Sequence, residues 1–122
     1  MEGTGMRFVL AAAFSIAMVQ PALCGAVTDF LKLHDEPLGR DQTETEIVGV
    51  QDGFIKANAF LTRTRKEAPM YCQPGNLSLT ADQLIDMLRR GEKEQPELDD
   101  ADPASALLSI MQRTFPCPQS SK

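Results

Sequence analysis

The chain lacks the strict apolar–polar alternation that a half-buried strand requires, which excludes a fold built on an antiparallel sheet. It also has little histidine and cysteine, with His34 alone and three cysteines in 122 residues. Two of those cysteines and His34 lie in distant segments without the ligand spacing of a zinc site, so a metal centre is not expected. Basic charge is in the minority, 12 Lys and Arg against 17 Asp and Glu, for a net charge of −5. Nucleic acid and anionic membrane surfaces would be repelled by that field. No cysteine or serine nucleophile motif accompanies His34, so the residues give no catalytic constellation and call for no cofactor.

One long apolar run is present, at the start. Arg7 precedes Phe8 to Val19 (FVLAAAFSIAMV), and Pro21 and the small residues Ala22, Cys24 and Ala26 follow. A positive end, a short apolar centre and small residues at the cut are the order of a secretory signal peptide. Cleavage is expected before Gly25 or before Val27, which divides the chain into a signal peptide, 1–26, and one helical domain, 27–122. A lipoprotein would need a small residue where Leu23 precedes Cys24, so an acylated cysteine is not expected. No later run approaches the ~20 apolar residues of a spanning helix. The mature product is therefore expected to be soluble, and its charge is unchanged because the leader removes Glu2 and Arg7 together.

Export turns the cysteine count into a pairing. Cys72 and Cys117 are the thiols left after cleavage, and an oxidising compartment favours their disulfide. In the chain-entropy treatment a closed loop of this length stabilises the fold by about 4 kcal/mol.

Periodicity of the helical kind dominates the rest, which predicts an all-α fold, a small bundle of four to five helices with one disulfide. A short first helix spans Val27 to His34, with Thr28 as its cap and Phe30, Leu31 and Leu33 as its apolar contacts, and Pro37, Gly39 and Asp41 break it. The second helix is expected from about Glu44 to Arg63. Ile47, Val50, Phe54, Ala57 and Leu61 share one face, and Val48, Ile55, Ala59 and Phe60 widen it. Gly49 and Gly53, four apart, predict close helix packing within the bundle.

After a loop from Glu67 to Ser78, Thr80 and Gln83 form a capping box, and Leu79 can staple onto Leu84. The third helix then buries Leu84, Ile85 and Leu88 and ends near Gly91. An acidic connector, Glu94 to Asp102, leads to a last helix capped by Asp102 with Pro103 at its first position. Ala104, Leu107, Leu108, Met111 and Phe115 form its apolar stripe, and Pro116 stops it before Cys117.

Three polar features are candidate sites. His34 reads as a solvated helix end. Asp99, Asp100 and Asp102 lack the glycine and terminal glutamate of an EF-hand loop; they read as a solvated acidic loop in which Asp99 and Asp100 are candidates for contacting a protein partner. Asn76-Leu77-Ser78 matches the glycosylation acceptor, a match too short to identify a function.

The segments GVQDGFIKANAFL, MYCQPGNLSLTADQLIDML and DPASALLSIMQRTFPCP, in that order, resemble the Rap/Tai family of immunity proteins. The most telling residues are Tyr71-Cys72 before a proline, a glycine and a capped helix, and the closing Phe115-Pro116-Cys117. The resemblance implies a small periplasmic helical protein that protects bacteria from peptidoglycan amidases delivered by type VI secretion. On this reading it occupies the amidase cleft as a rigid plug and does no chemistry. It also implies a homodimer. Where the family pattern has a cysteine after the leucine-rich first helix, this chain has His34, which leaves a second disulfide without a partner. A different use of such a scaffold is an envelope stress chaperone of the HdeA type, also helical with one disulfide.

Overall fold

The computed structural model describes residues 25–119. The segment from Arg7 to Val19 expected to be a signal peptide, and Cys24, lie outside the described residues. Among the described residues there are four α-helices and no strand: α1 (Val27–Asp35), α2 (Arg40–Phe60), α3 (Ala81–Glu94) and α4 (Pro103–Thr114). A π-helical turn, Leu61–Arg65, prolongs α2, and a 3₁₀ turn, Pro96–Leu98, joins α3 to α4. The protein is thus a small all-α bundle. No helix among the described residues is long and apolar enough to cross a membrane.

Helix α2 packs on α1, α3 and α4 and is central, as its pattern implied. Its N-terminus lies four residues earlier than expected, because the turn after α1 itself starts the helix. Gly39 and Arg40 both donate their N–H to Glu36 O, at 3.0 and 3.1 Å, and Thr43 N–H donates to Gly39 O at 3.0 Å. Helix α1 needs no side-chain cap at its start; Thr28 Oγ1 instead donates to Glu92 Oε1 of α3 at 2.8 Å. Helix α3 begins with both halves of the expected capping box, Thr80 and Gln83. Its apolar face, Leu84, Ile85 and Leu88, is buried with Phe30, Ile47, Leu107 and Met111.

Two glycine expectations change. Gly91 does not end α3, which continues to Glu94; it lies where α3 crosses α4, and a Cβ there would collide with Ile110. Gly49 and Gly53 face solvent, with nothing within 4 Å of a Cβ built at either. The packing role assigned to them belongs to Gly91 instead. Because both exposed glycines only loosen the helix, Gly49→Ala and Gly53→Ala should each stabilise the protein by about 0.5–1 kcal/mol. Additive upward shifts in urea midpoint would show it, and a loss of stability would mean that the face is packed.

The widened stripe on α2 is corrected as well. Ile47 is fully buried, but Val48, Ile55 and Phe60 are 39 %, 48 % and 54 % exposed. The bundle covers the side of α2 that carries Thr43, Ile47 and Gln51 and leaves the flank that carries Val48 and Ile55 open.

His34 is not a solvated helix end. It is 6 % exposed, with Nδ1 2.9 Å from Thr43 Oγ1. That hydroxyl's one proton is directed to the backbone carbonyls of Gly39 and Arg40, at 3.0 and 2.8 Å. A polar residue expected at the surface therefore closes the seam between α1 and α2.

Candidate functional site

The segment between the π-helical turn and α3 has no regular structure of its own, so its shape comes from what holds it. Lys66 adopts a left-handed conformation, φ 56°, and turns the chain back along α2. Asn58, on the last turns of α2, then grips the returning strand of chain. Its Oδ1 accepts from Met70 N–H at 2.8 Å and its Nδ2 donates to Tyr71 O at 3.3 Å.

Below this grip the Tyr71 ring meets Phe54 edge to face, with centroids 6.4 Å apart. Next comes the Cys72–Cys117 disulfide, with Cα atoms 4.8 Å apart, and Cys72 N–H donates to Phe115 O at 2.8 Å. The loop is thus fixed to α2 on one side and to the end of α4 on the other. The expected pairing of the two cysteines is present, and it ties the end of the last helix to the loop before α3.

The fixed loop and the outer flank of α2 enclose an open groove of about 400 Å³. Ile55, Ala59, Tyr71, Pro74 and Leu77 form its apolar lining and Arg63 stands at its edge. No carboxylate lines it, although the chain as a whole is acidic. Gln73 Nε2 donates to Leu77 O at 2.7 Å, while Gln73 Oε1 and the Tyr71 hydroxyl are closed off from water without a partner. Burial pushes the Tyr71 phenol above its ordinary pKa.

By sequence Ile55 and Ala59 belong to the apolar stripe of α2 and Leu77 to the glycosylation match, and none of the three is expected at a site. The available signal was Asn58, a poor helix former in the interior of a strong helix, where it earns its place by bonding to another segment.

The acidic connector lies at the other end of α4, about 18 Å away by helix rise over 12 residues. It is anchored more firmly than a free loop. Leu98 is buried in the core, and Val27 N–H donates to Ala101 O at 2.9 Å. Asp99 is half-buried with Oδ1 shut off from water and unpartnered, whereas Asp100 is exposed. The two candidate contact residues therefore differ in access, and neither lines the groove. Among the described residues no group of three or more His, Cys, Asp and Glu is arranged to hold a metal ion. Asn76 is exposed, in the loop between Cys72 and α3.

Asp102 closes the connector as the cap of α4, accepting from Ser105 N–H at 2.9 Å. The Ser105 hydroxyl and then its backbone N–H hold this carboxyl below the usual carboxylate range. A lowered folded-state pKa contributes stability that is present above the unfolded value, about 3.9, and is lost as pH falls through the folded one. Asp102→Ala should accordingly cost about 1 kcal/mol at neutral pH. Below about pH 4 its stability should converge on that of the parent chain, as acid melts of the two would show. A deficit that persists unchanged in acid would mean the carboxylate is not what caps the helix.

No family model, no curated protein and no solved structure matches this chain.

Proposed function

We propose that this chain is an exported, non-catalytic binding protein of the immunity type, which neutralises a peptidoglycan amidase by covering its active-site cleft. The family-like run of Tyr71-Cys72, the capped α3 and the closing Phe115-Pro116-Cys117 motivates the choice of amidase. The observation that carries the binding role is the way the Met70–Leu77 segment is held. Asn58, the disulfide and the Cys72–Phe115 backbone bond all hold it in place. A surface already fixed in shape gives up little ordering entropy when a partner seats on it.

The test is to mix the purified chain with individual type VI peptidoglycan amidases and follow hydrolysis of purified peptidoglycan. Stoichiometric inhibition of a cognate amidase, with a muramidase unaffected, is the expected result. Hydrolysis that proceeds unchanged with every amidase would remove the proposal. Within an inhibited pair, Asp99→Ala combined with Asp100→Ala should weaken binding by about tenfold if the connector enters the cleft. Unchanged affinity in a titration calorimeter would take the connector out of the interface. An acid-stress chaperone would instead open and bind an apolar dye on acidification, where a plug stays compact.

A further inference from the structure

We propose that the groove beside the disulfide is a docking site for an extended protein segment carrying a carboxylate next to an aliphatic side chain. This goes beyond the immunity reading and does not require the partner to be an amidase.

The groove has the size of a binding site, about 400 Å³, and sets Asn58, Thr62, Arg63 and Gln73 among apolar residues. Its walls are exposed aliphatic residues, Ile55 at 48 % and Leu77 at 38 %, on opposite sides. An aliphatic side chain inserted between them removes apolar surface from water on both. Charge selects the occupant. Arg63 supplies the charge in the lining, which holds no carboxylate, and Lys66 adds a second cation just past the adjoining turn, where Arg65 is paired with Glu67 at 3.3 Å. In a chain with excess acid, a groove lined by a cation and no carboxylate favours an anionic occupant.

The unpartnered Gln73 Oε1 adds a requirement that a simple fatty or anionic ligand does not meet. Its amide is already committed through Nε2 to Leu77 O, so the free oxygen needs an N–H donor. A peptide backbone N–H pairs this oxygen when the side chain turns outward, in exchange for the Nε2 bond to Leu77 O. The disulfide and Asn58 keep the loop wall from closing on the groove, so the site is preformed.

Fluorescence anisotropy of the full chain tests this with two labelled hexapeptides, one alternating leucine with aspartate and one alternating leucine with lysine. The aspartate peptide should bind and weaken with salt, and the lysine peptide should not bind. Arg63→Glu and Ile55→Asp, both at exposed positions, should each weaken the aspartate peptide by about tenfold. Lys93→Glu, the same change of charge at the far end of α3, should leave affinity within about twofold. Circular dichroism of each variant separates lost binding from lost fold, and Leu77→Ser serves if Ile55→Asp unfolds.

Equal binding of both peptides, binding of neither, or indifference to Arg63→Glu overturns the proposal. If neither peptide binds and the chain sediments as a dimer that Arg63→Glu dissociates, the groove belongs to a second copy. If neither binds and phosphatidylglycerol vesicles are captured instead, it belongs to a lipid surface.

Discussion

Cys72→Ser or Cys117→Ser should lower the stability of the folded domain by about 4 kcal/mol, the largest effect expected of any single side chain discussed above. The bond closes a loop of 45 residues in sequence separation, which spans α3, the connector and α4. Without it the unfolded chain regains the freedom that this loop had lost. For a domain of this size such a loss corresponds to a fall in melting temperature on the order of 15–30 °C. Urea denaturation of the oxidised chain, the reduced chain and each serine variant measures it. The loosening should begin locally. Cys72 N–H depends on Phe115 O, and Tyr71 is held beside it, so amides of the loop and of the last turn of α4 should lose exchange protection first. Reduced and oxidised chains melting together would mean that packing alone holds the two segments.

Gly39→Ala should cost about 3 kcal/mol through overpacking, although the backbone there is ordinary, φ −93° and ψ −16°. A Cβ at this position would collide with the Leu33 carbonyl oxygen and lie 2.7 Å from Leu33 Cγ. A side-chain tip can move aside, but a backbone carbonyl at the end of α1 cannot do so without shifting the helix. The same shift would pull His34 from Thr43, whose hydroxyl bonds back to the Gly39 carbonyl. Gly75→Ala is the natural comparison, since nothing lies within 4 Å of its Cβ position, and it should change stability by less than about 0.5 kcal/mol. Equal melting of the two alanine variants would show that the α1–α2 turn is plastic.

Glycine shows where sequence reasoning stops. Gly39 was legible as a breaker between two helices, yet the contact that makes it costly to replace comes from Leu33 at the end of α1. Gly49 and Gly53 have the spacing of a close-packed pair but are exposed, while Gly91, placed by its type at a helix end, is where α3 and α4 meet. Spacing on one helix says which residues share a face; it does not say which face a neighbour covers. The same reason explains Ile55 and Leu77. Each reads as a core or loop residue in its own segment, and only their placement on two sides of one groove gives them a function to propose.

The sequence by itself determined the features that depend on residues within a turn of each other or on a count. These are the helical class, the Thr80–Gln83 start of α3, the Asp102–Pro103 start of α4, and the pairing of Cys72 with Cys117. Local hydrogen bonds and the absence of another thiol in the described domain leave those features few alternatives. Tertiary structure decided the burial of His34 against Thr43, the exposed flank of α2, the separation of Asp99 and Asp100 from the groove, and the groove itself. Each depends on the angle at which one helix lies on another, and that angle is fixed by the packing of the whole core around Ile47, Leu88 and Leu107.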